Sequence, residues 1–340
     1  MESKKVFKTV IFDVVGYCNA RCPYCVTGAN PGASKKAIAV DVFEQTLVRL
    51  LDNGVIEKGA VISLYCWGEP LLHPDLAGLI GVASKLGLKI GLSTNGSVHV
   101  SFSPAMVAGL DHIMFSMPGF SQASYDRISR LNFEKVRQNI SEMLSECRAN
   151  GFRGRTWIAY HIYQFNLHEI RDCEQFAGKL KVDFNPCIAM LNEWDQLQGW
   201  LKGRLSADQM RKISEDLLCF GIRPEMKNSP ANYYCPQFDY LIIDENANLL
   251  VCCQTPKSEE YQCGNVLRDD LDVVLQNKYT RPVCRGCLDT GLAYYINHAL
   301  ERPKFYQPYR SPSLVNRIYG SLRWRILRFL NRTKSGTEPQ

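Results

Sequence analysis

Six short apolar runs recur along the first two-thirds of this 340-residue chain, at 6–15, 61–65, 89–92, 112–116, 156–162 and 182–185, with amphipathic stretches between them. Each run has the length and composition of a strand. The intervening pattern is clearest in NFEKVRQNISEMLSECRANG, where Phe133, Val136, Ile140, Met143, Leu144 and Cys147 recur at helical spacing. Asn132 stands at the N-cap position of that helix and Gly151 at its stop. Six β–α units imply parallel strands joined by right-handed crossovers. The expected fold class is therefore α/β, a partial (β/α)6 TIM-like barrel, with ligands at the C-terminal ends of its strands.

The pattern changes after about residue 215. Strand candidates at 240–244 and 248–252 flank an Asp-Glu-Asn-Ala turn and read as a hairpin. Cys235, Cys252, Cys253, Cys263, Cys284 and Cys287 crowd into the same region. The expected organisation is a core domain at 1–215, a small cysteine-rich domain at 216–295 that relies on metal, and a tail at 296–340. In the tail Val315, Ile318, Tyr319, Leu322, Ile326, Phe329 and Leu330 share one helical face, and Arg317, Arg325, Arg328 and Arg332 the other. Such a basic amphipathic helix either makes peripheral contact with an anionic membrane or packs back on its own domain with solvated arginines.

The net charge of +6 is concentrated in that tail: residues 301–340 hold nine Lys/Arg and two acids, leaving 31 basic and 32 acidic side chains in the first 300. A near-neutral body does not suggest a nucleic-acid surface. The start shows no signal-peptide pattern, and no window approaches a membrane span. With 14 cysteines, these features point to a cytoplasmic chain whose reduced thiols ligate metal.

Three of those thiols lie in GYCNARCPYC, with the spacing Cys18-x3-Cys22-x2-Cys25, in the loop after the first expected strand. Three is one too many for a disulfide and one too few for a closed structural zinc site. A [4Fe–4S] cluster held by three thiolates keeps one iron open to an exogenous ligand; zinc binding is the competing reading. The spacing resembles the signature of the radical S-adenosylmethionine (SAM) superfamily. Tyr24 stands in the aromatic position before the last cysteine, which implies contact with adenine. Trp67-Gly68-Glu69-Pro70 is similar to the family's Gly-Gly-Glu-Pro, with Trp67 in place of the first glycine, and implies that Gly68 and Glu69 bind the SAM amino group. Ser93 and Asn95, in Ser93-Thr94-Asn95-Gly96, resemble the ribose-contacting segment. Ser116 matches a position that contacts the SAM carboxylate, and Asn166 and Glu169 fit an Asn-x-x-Glu turn.

The resemblance implies that SAM chelates the open iron and that one electron cleaves a carbon–sulfur bond. The resulting 5′-deoxyadenosyl radical abstracts hydrogen from a substrate. An electron donor such as a flavodoxin or ferredoxin is implied as a partner. The cofactors supply this chemistry and the protein supplies orientation. The bland reading of Ser93, Asn95 and Ser116 is that they cap turns. Cys66, Cys147, Cys173, Cys187 and Cys219 read as small core hydrophobes.

Cys235-x16-Cys252, followed by Cys284-x2-Cys287, resembles the SPASM/twitch extension of radical SAM enzymes. It implies one auxiliary [4Fe–4S] cluster with those four ligands, suited to electron transfer. Ala247 stands where the family has glycine, and a full seven-cysteine pattern would need cysteines beyond Cys287. Cys253 can exchange roles with Cys252, and a Cys₄ zinc site is the alternative. Cys263 and Cys253 are then candidate catalytic thiols that return a hydrogen atom to a substrate radical, as in radical epimerases, or inert buried thiols.

The expected activity is oxidation or epimerisation of a small-molecule substrate, such as a sugar or aminocyclitol. Candidate contacts are His161, Tyr163, Asn185, Asn192, Glu193 and Asp195. The alternative is a maturase acting on a ribosomally made peptide. Many such enzymes carry an N-terminal peptide-recognition domain, and a first strand near residue 6 leaves no room for one. A third reading is a non-enzymatic iron–sulfur or zinc protein. Gly68-Glu69-Pro70 argues against that one, because an electron carrier needs no SAM site.

Overall fold

The computed structural model describes residues 5–29, 34–218 and 226–298. Cys219 and the tail from residue 299 onward lie outside the described residues. The six expected strands are present as β1 (Phe7–Phe12), β2 (Ile56–Leu64), β3 (Lys89–Thr94), β4 (Leu110–Met117), β5 (Arg155–Ile162) and β6 (Asp183–Ile188). The largest differences are at β1, which stops at Phe12, three residues before its apolar run ends, at β2, which starts five residues before its run, through Ile56-Glu57-Lys58-Gly59-Ala60, and at β6, which continues to Ile188 through Pro186. Pro186 is tolerated because β6 ends the sheet, where a missing N–H leaves no partner unpaired.

Neighbouring strands pair in parallel, with Val10 beside Ile62, Ile62 beside Ile90, Leu92 beside Ile113, and Ile158 beside Phe184. The order β6-β5-β4-β3-β2-β1 never reverses. Right-handed crossovers then leave their helices on one face of the sheet and the other face free. The fold is thus α/β with a mostly parallel open sheet, compatible with a partial TIM barrel.

The connecting helices are α1 (Val26–Ala29), α2 (Val40–Asp52), α3 (Leu76–Lys85), α4 (Pro104–Gly109), α5 (Gln122–Arg127), α6 (Phe133–Ala149), α7 (Ile170–Leu180), α8 (Trp194–Leu201) and α9 (Ala207–Asp216). α6 matches its sequence pattern. The Asn132 side chain accepts from Lys135 N at 2.8 Å, and Gly151 follows the helix at φ +89°. α2 buries Phe43, Leu47 and Leu50 against the sheet, and the Phe43 ring meets Phe12 at 5.0 Å. Each such side chain contributes about 1.5–3 kcal/mol.

After α9 the sheet continues on the other side of β1. β7 (Leu241–Ile243) pairs with β1 in parallel, Val10 beside Leu241 and Phe12 beside Ile243. β8 (Asn248–Leu250) and β9 (Gln262–Asn265) then follow in antiparallel order. The cysteine-rich segment is therefore built onto the core sheet through backbone hydrogen bonds. Its helices are α10 (Leu271–Thr280), α11 (Pro282–Asp289) and α12 (Leu292–His298). Arg49 of α2 reaches across to the carbonyls of Leu267 and Asp269.

Register defines what the free face presents. Ser93 pairs with Met114, two residues before Ser116; Ser116 pairs with Ala159, Ala159 with Asn185, and His161 with Cys187. Paired residues of parallel strands share a face, and so do residues two apart. Ser93, Ser116, His161 and Asn185 thus line one face, alternating with the buried Leu92, Phe115, Tyr160 and Ile162 on the helix side.

Candidate functional site

The Cys18–Cys25 loop leaves β1 at the C-terminal edge of the sheet and is fastened by contacts from four directions. Gly16 N donates to Lys36 O at 2.8 Å, and Arg21 N to Ser129 O at 2.9 Å. Gln196 of α8 donates to Pro23 O at 3.1 Å. The Tyr24 hydroxyl donates to the buried Asp216 at 2.6 Å, and Asp216 also accepts from Arg127 Nε at 2.6 Å. α1 can start immediately after Cys25 because residue 28 is glycine, where a Cβ would lie 2.6 Å from Cys22 N.

Cys18, Cys22 and Cys25 face one another, and each thiol is pushed up in pKa by burial first. For Cys18, at about 12, the charges of Glu69 and Cys25 add to burial. Donors aim at these sulfurs: Ala20 N at 3.4 Å and Asn95 Nδ2 at 3.6 Å on Cys18, and the Thr27 and Gly28 amides on Cys25. Buried thiols with convergent N–H donors are poor anions alone and good ligands once a metal displaces their protons. Among the described residues no His, Cys, Asp or Glu group converges tightly enough to hold one metal ion. Three thiols from one loop, one short of a closed zinc set, suit a [4Fe–4S] cluster that keeps one iron open.

Glu69 is the second component. It is buried, and its carboxylate accepts from Leu71 N at 3.1 Å, Thr94 Oγ1 at 2.7 Å and Asn95 N at 2.8 Å. Burial raises its pKa to about 7, against those three hydrogen bonds. The chain brings Glu69 here through a close approach: at Gly68 a Cβ would lie 2.0 Å from Val15 O. Trp67, in the place of the family's glycine, is buried, and its Nε1 has no hydrogen-bond partner. The structure therefore gathers Cys18, Glu69, Gly68 and Asn95 at one place. Ser93 and Ser116 lie on the free face of the sheet beside it.

Asn166 and Glu169 fasten turns. Asn166 bridges Tyr163 N, Pro118 O and His161 O, and Glu169 accepts from Phe120 N, Ser121 Oγ and Ser124 Oγ. His161 is held below its ordinary pKa, at about 4, by burial alone. It is neutral at physiological pH.

An ion network that motif reading missed lies under the Gly68 segment. Asp13 is buried and accepts from Trp67 N at 3.2 Å and Gly68 N at 2.9 Å. Lys257 sits 2.8 Å from Asp13 and 2.5 Å from Glu245. The signal for Asp13 is a charge that interrupts an apolar strand pattern just before the cysteines. Its partner 244 residues away has no local signal.

The second cysteine group lines one pocket, which includes Cys235, Cys252, Cys284 and Cys287. Cys284 and Cys287 are three apart on α11 and so share a face. Asn297 Nδ2 approaches Cys235 Sγ at 3.7 Å, and Gln254 N approaches Cys252 Sγ at 3.4 Å. Cys253 is outside that lining and packs with Tyr65, Cys66 and Tyr240 against Ile11, Ile242 and Leu250. Cys263 is buried on β9 within the main core. The two candidate catalytic thiols thus pack in different clusters. Cys147 and Cys173 are core residues as expected, whereas Cys66 and Cys187 are half-buried.

Among the described residues no helix is long and apolar enough to cross a membrane. The PqqA peptide cyclase of Bradyrhizobium diazoefficiens is 24% identical over 225 residues, covering 58% of this chain and 57% of that protein. GTP 3′,8-cyclase 3 of Mycobacterium bovis is 25% identical over 232 residues, covering 65% of this chain and 59% of that protein. The chain thus spans less than two-thirds of the length of these curated relatives. Among solved structures, Streptococcus suis SuiB bound to precursor peptide SuiA shares the fold at TM-score 0.55 and 16% identity, over 83% of this chain and 67% of that one. The sequence model of the Radical SAM superfamily matches residues 13–177, from Asp13 beneath the cysteine loop to the end region of α7. Residues 13–177 are thus a radical SAM domain, and such a domain implies a [4Fe–4S] cluster and SAM as cofactors.

Proposed function

We propose that this radical SAM enzyme modifies a peptide, with Cys18, Cys22 and Cys25 holding the SAM-binding cluster. Glu69, Gly68 and Asn95 are assigned to SAM beside Cys18, with Tyr24, Ser93 and Ser116 as further contacts. Bound there, cluster and SAM supply reductive carbon–sulfur cleavage and hydrogen abstraction. The protein buries the site, orients Glu69 through Leu71, Thr94 and Asn95, and fixes the Gly68 turn on Asp13. Residues 216–295 are assigned as an auxiliary domain, with one further [4Fe–4S] cluster on Cys235, Cys252, Cys284 and Cys287. The four-cysteine cavity supports that ligand set and favours Cys252 over Cys253. Cys253 and Cys263 are retained as candidate hydrogen-donating thiols.

The observation that carries the peptide reading is the 225-residue similarity to a PqqA peptide cyclase. The expectation of a sugar or aminocyclitol substrate gives way to it. The similarity to a GTP cyclase makes a small molecule the outcome to test against. The test uses anaerobically reconstituted protein with dithionite, SAM and deuterium-labelled candidates. These are short peptides encoded beside the gene, and sugars. Deuterium in 5′-deoxyadenosine together with a mass change in the peptide is expected. Transfer from a small molecule and none from any peptide would overturn the peptide reading.

A further inference from the structure

A buried lysine lies beside the second cysteine group. Lys278 on α10 is 0% exposed, and lysine is almost never so buried unless it is paired. It follows Leu271 and Val274 on the buried stripe of α10, a position that helical periodicity reserves for a hydrophobe. Its Nζ donates to Val251 O at 3.1 Å, whereas an ammonium carries three donors. The carboxylate whose field it reaches, Asp239, is held by Lys5 at 2.7 Å. Burial pulls the Lys278 ammonium's pKa down, and the charges that oppose this belong to thiols: Cys252 after β8, Cys263 on β9, Cys284 on α11 and Cys253, while Lys278 in turn acts on Cys235. Cys284 Sγ also donates to the Lys278 carbonyl at 3.9 Å.

An ammonium removed from water costs several kcal/mol unless an opposite charge compensates it. A [4Fe–4S] core on four thiolates carries net negative charge, and one-electron reduction adds another unit. We propose that Lys278 is the built-in counter-charge of the auxiliary cluster held by Cys235, Cys252, Cys284 and Cys287, and that it holds that cluster's reduction potential up. The proposal rests on the auxiliary-cluster reading above. Its physical content is electrostatic: the ammonium stabilises the more negative, reduced cluster more than the oxidised one. The residue tunes the cluster and does not touch substrate.

The test uses the full chain carrying Cys18→Ala, Cys22→Ala and Cys25→Ala, so that bound iron reports the second group alone. Iron and sulfide are reconstituted anaerobically, and the midpoint potential is read by electron paramagnetic resonance during titration with dithionite. Lys278→Met is expected to make reduction at least tenfold less favourable, a fall of 59 mV for one electron. Lys278→Arg, which keeps the charge, is expected to stay near the parent value. Iron retained by the Arg variant and lost from the Met variant also supports the counter-charge role. An unchanged potential in Lys278→Met overturns it, and so does equal loss of iron from both variants, which marks a packing defect. A parent that binds zinc or no iron removes the auxiliary-cluster reading itself, a result distinct from a cluster whose potential ignores Lys278.

Discussion

Glu69 carries a burial penalty that can be measured. Its carboxyl is 3% exposed and its pKa is lifted from its ordinary 4.5 to about 7, with burial as the leading cause. A pKa raised on folding means that the folded state holds the proton longer than the unfolded chain. Stability is then fully present below pH 4.5 and falls as pH rises through 7. At 1.36 kcal/mol per pH unit, the difference amounts to about 3 kcal/mol. Glu69→Gln removes the titration while keeping the shape. Glutamine has one acceptor oxygen where the carboxylate meets three donors, so one amide loses its partner at a cost of about 1–3 kcal/mol. The absolute stability of the variant therefore decides nothing, and the pH slope decides everything. Urea unfolding of cluster-free, reduced protein at pH 5 and pH 8 is the assay. The wild type should lose about 2.5 kcal/mol more than Glu69→Gln between those values. Other titrating groups are common to both proteins and cancel. Parallel losses would refute the assignment of a strained buried carboxylate. If the SAM ammonium compensates Glu69, SAM should also raise the melting temperature of cluster-loaded wild type more at pH 8 than at pH 6, and Glu69→Gln should show no such difference.

Ala247 holds φ +61° in the β7–β8 turn, so Ala247→Gly should stabilise the protein by about 0.5–1 kcal/mol in thermal melts. Lys257→Met should cost about 3–5 kcal/mol in urea unfolding, because it strands the buried Asp13 and Glu245, and Asp13→Asn should cost less, because Lys257 keeps Glu245. Reconstituted wild type should hold about eight irons, and either Cys18→Ala/Cys22→Ala/Cys25→Ala or Cys235→Ala/Cys252→Ala about four, by iron analysis.

The legible part of this chain is what short-range periodicity and spacing encode. The six parallel strands, the α6 helix with its Asn132 cap and the hairpin around Asp244 all lie close to where apolar pattern and turn residues put them. Cys18, Gly68, Glu69 and Asn95 could be singled out because the motifs that carry them resemble radical SAM motifs, and parallel strands bring the loops after three successive strands together. Asn166 and Glu169 were visible as a pattern, but their work as turn fasteners was not, since the groups they bind belong to Pro118, Phe120, Ser121 and Ser124 on another loop.

By itself the sequence determined the class of fold, the three-thiol loop and the presence of a second thiol set, because each depends on residues within one or two turns or strands. Only the tertiary structure decided that β7 adds to β1 in parallel, that Lys257 pairs with Asp13, and that Lys278 is buried among thiols. Those are choices of partner between distant segments. A lysine reads as solvated on any helix until packing removes the water around it, and what then compensates its charge is set by whatever the other segments bring to the same place.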